Sequence, residues 1–432
     1  MTSQPAPAHP LMQRNLRILP WWWVLRWAWL GEGIWVLYLT EERGLTLGQV
    51  LLFEALYSAV VIATELPTGM IADRFGRRVS LLIGTVSVVV AFLAFGLSGS
   101  IFILMTAYAF FAAAETSFSG ADSAMLYDSL KSVRRERDFT VSFGRLNAIA
   151  SLGIAGFTIL GSLIVTWFPL STPILLSAVL CTPAILLAWF LTEPPKTEER
   201  HAYMETGRRA VTLALRTPAL FSVMILMSVT TLAISSMGVL QQFFLREAGV
   251  PLWGIGIGVA AQMGVGAVAS WLAAPVGRRI GLRRVFWIMP IGSALALVAA
   301  APGTAWLFPI FILPTAGWNL MYPHFTVYLA RRAPEALRAS VISVASIISG
   351  IAALIVVPVV ALGMDHLGFR PTLLLLAAGL TIAATVAYLA WARTERDTDL
   401  DADFEIDEDD NIEDKDRQPG VDAPEAPPVP SE

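Results

Sequence analysis

The chain has 432 residues, 56% hydrophobic and only 15% charged, with a formal net charge of −4. Soluble domains hold roughly 45–50% apolar and about 25% charged residues, so no soluble interior hides this much apolar surface, and lipid must be the solvent. The net charge mixes two regions: an acidic tail from Glu395 to Glu432, offset only by Arg396, Lys415 and Arg417, follows a basic body.

Residues 1–18 carry Pro and Ala without an apolar core. This predicts a short cytoplasmic segment and no cleavable signal peptide. A helix needs about 20 apolar residues to cross the hydrocarbon core. Twelve segments qualify: 19–39, 49–70, 80–98, 101–124, 141–167, 171–191, 219–241, 253–275, 285–301, 304–330, 339–362 and 371–391.

The loops support this count. Those after even-numbered spans are basic: Arg74, Arg77 and Arg78, then Lys131, Arg134, Arg135 and Arg137, then Lys196, Arg200, Arg208, Arg209 and Arg216. The second half repeats the pattern with Arg278, Arg279, Arg283 and Arg284, then Arg331, Arg332 and Arg338. Loops after odd-numbered spans hold only Arg43, Arg246 and Arg370. The positive-inside rule then puts both termini in the cytoplasm of a bacterial-type inner membrane.

The expected fold is an all-α membrane protein of twelve transmembrane helices in two six-helix bundles, residues 19–191 and 218–392. A cytoplasmic linker, 192–217, joins them. Residues 393–432 turn acidic and then Pro-rich, and such a segment buries too little apolar surface to fold, so it is expected to be a disordered cytoplasmic tail. The single cysteine, Cys181, lies in an apolar stretch and reads as a small buried hydrophobe.

An internal echo supports two related halves. Gly69-x-x-x-Asp73-Arg74-x-Gly76-Arg77-Arg78 follows the second span, and Ala274-Pro-Val-Gly-Arg278-Arg-Ile-Gly281-Leu-Arg-Arg follows the eighth. In the first copy Gly69 allows a close helix approach and Gly76 a sharp backbone reversal. Asp73 suits the N-terminus of a helix in the other half, where the helix dipole favours an anion. Arg77 and Arg78 hold the loop at the inner face, and Asp128 is the expected partner of Arg77. In the second copy Arg278 replaces the Asp, which argues against a symmetric second latch.

This motif closely resembles the signature loop of the major facilitator superfamily. The resemblance extends to the twelve spans and the 6+6 layout, and implies alternating access, with the loop latching the halves together in the outward-open state. Glu65-Leu-Pro-Thr-Gly69 and Ser119-Gly-Ala-Asp-Ser-Ala-Met-Leu-Tyr127-Asp128-Ser-Leu resemble exporters of the drug–proton antiporter type. Two features of that type are missing: Tyr108 stands near the place of its mid-helix Arg, and the fifth span lacks its Gly-Pro pair.

Charges at membrane depth are costly and mark function or pairing. The first half holds Arg26, Glu32, Glu54, Glu65, Glu115, Asp122 and Arg145. Tyr108, Glu115 and Asp122 recur every seven residues, on one helix face. Asn147, Ser151 and Thr158 form a similar stripe. Arg145 and Asp122 lie at similar depth and are expected to pair. Such groups serve either as static ion pairs or in function. Glu32 and Glu115 have no route to the headgroups, so they are expected to face a cavity, where burial favours a neutral carboxyl that can exchange protons. Glu65, Asp122 and Arg145 complete the proton-coupling candidates. Glu54 is expected at the outer surface. In the second half His324, Trp318, Asn319, Tyr322 and Gln262 are candidates for substrate contact, together with Tyr108 and Asn147; such an apolar, aromatic wall with scattered polar groups suits a hydrophobic or amphipathic substrate.

Trp21, Trp22, Trp23 and Trp27 crowd the inner end of the first span, as in an interfacial belt. Trp29 and Trp35 flank Glu32 and face either substrate or lipid. There is no P-loop, metal-ligand cluster or nucleophile–His constellation, so neither an enzyme nor a bound cofactor or metal is expected, and the basic loops signify topology, not nucleic acid. The expected function is secondary transport by a monomer in lipid, as proton-coupled export of a hydrophobic or amphipathic compound. Cation-coupled uptake or exchange of a metabolite is the alternative, and a non-transporting receptor or scaffold is a third class.

Overall fold

The structure, a computed structural model, describes residues 10–194, 203–334 and 337–395. The acidic tail beyond Glu395 lies outside the described residues, as do 195–202 of the linker and residues 1–9.

The described residues form helices and no strands. Among the described residues ten helices are long and apolar enough to cross a membrane. Spans 2 and 3 are Leu47–Phe75 and Arg77–Leu97. Spans 5 to 9 are Phe139–Ile164, Ser171–Phe190, Pro218–Glu247, Leu252–Ile280 and Leu282–Ala300. Spans 11 and 12 are Arg338–His366 and Phe369–Thr394. Span 4 bends where Gly120, at φ 73°, separates Ile101–Phe118 from Ala121–Ser132. Two crossings are broken. Span 1 runs as Pro10–Leu25, a 3₁₀ turn at Leu30–Gly33, a short helix at Trp35–Leu37 and a π turn at Tyr38–Glu42. Span 10 starts as Phe308–Phe311 and resumes as Leu313–Arg332, with Pro314 in the first turn of the second piece. The twelve-span order therefore holds.

Several boundaries move. The helix expected from residue 19 starts at Pro10, within the segment 1–18, because Asn15 is buried there and bonds to Ser129 Oγ and the Thr192 carbonyl. Part of the linker is an amphipathic helix, Tyr203–Arg216, whose Ala210 and Ala214 pack on spans 7 and 11. The final helix runs to Thr394, past the expected tail boundary at 393. Glu395 is buried: its carboxylate accepts from Tyr328 Oη at 2.7 Å and from Arg332 at 2.8 and 3.0 Å.

The halves meet where span 2 lies along span 11 and span 5 along span 8. A set of polar ties between them gathers at the end opposite the described termini. Asp365, at the end of span 11, accepts from Thr46 Oγ1 and from the Gly48 amide, both at 3.1 Å. It thus sits at the N-terminus of span 2, where the helix dipole stabilises an anion. Arg246 forks onto Glu41 at 2.6 and 3.0 Å. Bare backbones touch nearby: a Cβ on Gly33 would lie 2.9 Å from the Gly256 Cα, and one on Gly256 would lie 2.1 Å from Ser162 Oγ.

Candidate functional site

The chemistry gathers where span 1 breaks. Gly31 and Gly33 weaken the helix there, and a broken backbone in hydrocarbon must find other hydrogen-bond partners. Two side chains supply them. Ser177 Oγ accepts from the Leu30 amide at 2.9 Å. Gln242, fully buried on span 7, accepts from the Val36 amide at 3.1 Å and donates to the Glu32 carbonyl at 2.8 Å. The 3₁₀ turn carrying Glu32 is therefore held from both halves.

Glu32 lines a cavity of about 440 Å³ together with Glu54 from span 2 and Glu115 from span 4. Glu32 and Glu54 are partly buried, whereas Glu115 is exposed. Tyr57 donates a hydrogen bond to Glu115, and the side chains of Glu54 and Tyr108 meet. Trp27, Trp29, Trp35, Phe95 and Phe111 complete the aromatic wall, with Ile154, Gly238 and Met263 beside them. Trp29 and Phe111 stack at 5.5 Å with their planes 9° apart. The wall thus combines low polarity with three carboxyls.

The seven-residue stripe on span 4 holds for Tyr108 and Glu115 and fails at Asp122. The turn at Gly120 carries Asp122 out of the cavity, and its partner is Arg26, at 2.7 Å, not Arg145. The Arg26 guanidinium also lies over the rings of Trp22, Trp23 and Phe118 at 4.5–5.0 Å. Arg145 is exposed, with no salt bridge among the described residues. Glu65 is exposed too, and accepts from Ser119 Oγ at 3.3 Å.

Glu54, expected at the outer surface, lines the cavity. It lies two helical turns inside the start of span 2, and its spacing of eleven from Glu65 was the available signal. Tyr57 and Gln242 carried none. Trp22 and Trp23 are buried, not interfacial; Trp22 Nε1 donates to Thr85 Oγ1 at 3.1 Å and Trp23 Nε1 to Asn147 Oδ1 at 3.3 Å.

Asn147 is thus a partner of Trp23 and does not line the cavity. The second-half candidates do not line it either. They stitch spans 8 and 10 together: Gln262 donates to Thr315 Oγ1 at 2.8 Å, Asn319 accepts from Ser270 Oγ at 3.1 Å, and His324 Nε2 lies 3.0 Å from the Ala273 carbonyl. Trp318 packs against Tyr322, which is exposed, with ring centroids 5.3 Å apart and planes tilted by 45°.

At the signature loop Gly76 has φ 98° and Gly281, its echo, has φ 81°, so both copies reverse on a left-handed glycine. Arg77 binds the Asp128 carboxylate and donates to the Ala124 carbonyl at 2.8 Å. Glu193, at the end of span 6, caps span 3 by accepting from the Arg77 and Arg78 amides at 2.8 and 2.9 Å. Arg78 packs over Trp189 and donates to its carbonyl, and Arg74 packs over Phe75. Gly69 makes no close approach: a Cβ there would meet nothing within 4 Å. The Asp73 side chain lies outside the described residues.

Among curated proteins none matches the sequence as a relative. Solved structures do match the fold. The nucleoside transporter NupG superposes with a TM-score of 0.73 at 13% identity, over 89% of this chain and 99% of that one. A bacterial homologue of the human lysosomal transporter Spinster, in an inward-facing and unoccupied conformation, gives 0.67 at 16% identity, over 90% and 98%. A POT family transporter in complex with 5-aminolevulinic acid gives 0.68 at 13%, over 88% and 96%. The model of the Major Facilitator Superfamily matches residues 30–357. With the broken first span, the paired halves and the loop at Gly76 on one chain, this protein belongs to the Major Facilitator Superfamily and is a membrane transporter, not an enzyme.

Proposed function

We propose that this transporter couples proton movement to the export of a hydrophobic or amphipathic small molecule across a plasma membrane, with both termini in the cytoplasm. The observation that carries the reading is the convergence of Glu32, Glu54 and Glu115 on one aromatic cavity at the junction of the halves. In this reading substrate and proton compete for these carboxyls. Glu32 and Glu115 are the proposed carriers, now joined by Glu54. Asp122, held by Arg26, serves the bundle rather than the proton path. Glu65 and Arg145, near the inner end, are left as candidates for proton exit.

The ties at Asp365, Glu41 and Gln242 support a conformation shut at the outer end. Gly69 facing open space supports an inner latch that is released in it. The loop from Gly69 to Arg78, with Asp128, then acts as the inner gate, and Asp365 of span 11, held at the N-terminus of span 2, as an outer counterpart.

Proteoliposomes test this reading. A pH gradient should drive movement of an amphipathic substrate, and substrate should drive proton flux. Substrate movement with no response to either gradient would overturn the coupling.

A further inference from the structure

The chain leaves the second bundle through a field of arginines. We propose that this field, at the inner ends of spans 8 to 11, is a docking surface for the chain's own acidic segment, residues 397–407. Such docking does not depend on what the cavity between the halves carries.

The surface comes from two loops. Arg278 and Arg279 end span 8, Arg284 opens span 9 and Arg338 opens span 11, and each is exposed. No carboxylate among the described residues forms a salt bridge with any of them. Span 10 packs against spans 8, 9 and 11, so these ends lie side by side. Like charges gathered this way repel one another, and together they attract an anionic partner.

Glu395 aims the tail at this surface. It is the last described residue, and it is buried. Tyr328 and Arg332 hold its carboxylate, and Arg283 donates to its backbone carbonyl. Trp391 Nε1 fixes the same corner by donating to Tyr328 Oη at 2.9 Å. The chain therefore departs beside Arg283, one residue before Arg284. A tether this short holds a segment at an effective concentration on the order of millimolar.

The segment has the matching pattern. Asp397, Asp399, Asp401, Asp403, Glu405 and Asp407 fall at every second position, with Thr398, Leu400, Ala402, Phe404 and Ile406 between them. In an extended chain alternate side chains share one face, so these acids would form a ribbon of negative charge at intervals of roughly 7 Å. Residues 397–407 then reach about 35 Å, whereas packed helix axes lie roughly 8–10 Å apart. The ribbon is long enough to serve both loops. Exposed ion pairs are weak one at a time, so the docking draws on the whole row and is sensitive to salt.

Glu-C protease, which cuts after Glu405, reads the docking in the full-length protein in neutral detergent. The reference is a free peptide with the sequence of residues 396–418. At about 20 mM salt the protein should be cut ~5- to 10-fold more slowly than the peptide, and at about 500 mM salt the two rates should agree within about twofold. Replacing Asp397, Asp399, Asp401 and Asp403 together with Asn leaves the folded body and the cleavage site intact, and should abolish the protection relative to a peptide with the same changes. The combination Arg278→Gln, Arg279→Gln and Arg284→Gln should abolish it too, whereas Arg278→Lys, Arg279→Lys and Arg284→Lys should keep it. If the Gln combination fails to insert, the Asn variant decides. Cleavage of the unaltered protein at the peptide's rate in low salt would overturn the proposal and leave the arginines to lipid headgroups. Protection that survives high salt or the Asn changes would overturn it as well, because its cause would not be these charges.

Discussion

Gln242 on span 7 donates its side-chain amide to the backbone carbonyl of Glu32 at 2.8 Å, so a residue of the second half holds the turn that presents a carboxyl of the first. The same side chain accepts from the Val36 amide. A transporter that opens its outer end by parting the halves must break both bonds. Gln242→Leu should therefore raise the population of the outward-open form. It also strands a buried backbone donor and acceptor, each costing about 1–3 kcal/mol. A cysteine placed at Ile255 beside the seam should react faster with an aqueous maleimide in the Gln242→Leu background. An unchanged rate would show that Gln242 is no part of the outer closure.

The Arg26–Asp122 pair predicts a stability pattern. Removing one partner leaves an uncompensated charge in a largely buried site, which costs about 3–5 kcal/mol, whereas replacing both with apolar residues is far milder. Arg26→Leu or Asp122→Leu alone should lower the unfolding temperature in detergent by several degrees, and the double variant should recover most of that loss. A double variant as unstable as the sum of the singles would mean the two side chains do not act as a pair.

Gly76→Ala should destabilise the inner end of the first bundle. Its φ of 98° is strained for a residue with a Cβ, and that Cβ would lie 2.7 Å from the Glu193 carboxyl carbon. Strain of this kind costs about 1–3 kcal/mol before the clash is counted. Thermal unfolding of the purified variant checks it, with Gly69→Ala, whose Cβ meets nothing, as the mild comparison.

Sidedness has a direct check. The native Cys181 is buried and has no need to be removed. Cysteines introduced at the exposed positions Ser100 and Arg208 lie on opposite ends of the molecule. An impermeant reagent added to intact cells should label the Ser100 site and spare the Arg208 site. Labelling in the reverse order would place the termini outside.

Hydropathy and the rhythm of arginines made the twelve spans legible, because the bilayer imposes one length on every crossing. Gly76 was legible because a left-handed turn in a short loop admits little else. What stayed hidden depends on breaks in the helices. A periodic face on span 4 assumes one straight helix, so it carried Asp122 along with Tyr108 and Glu115 until the turn at Gly120 removed it. Span 1 read as one apolar helix, although Glu32 sits on a 3₁₀ turn whose partners, Ser177 and Gln242, lie about 150 and 210 residues away. Glu54 was misjudged for depth: it lies near the start of an apolar run, yet it lines the cavity beside Glu32 and Glu115. In the second half, the polar residues read as candidates for substrate contact also bond the neighbouring helix, as Gln262 does with Thr315, and the sequence carried no sign of that pairing.

The central claim is that the cavity carboxyls carry protons. Replacing Glu with Gln keeps size and hydrogen bonding and removes titration. The decisive measurement is pH-gradient-driven substrate transport in proteoliposomes by Glu32→Gln, Glu54→Gln and Glu115→Gln, set beside substrate binding by the same proteins in detergent. Variants at the coupling positions should still bind substrate, with reduced affinity, and should lose acceleration by the gradient, Glu32→Gln and Glu115→Gln foremost. Full gradient-driven transport by all three variants would contradict the account and move the proton path away from this cavity.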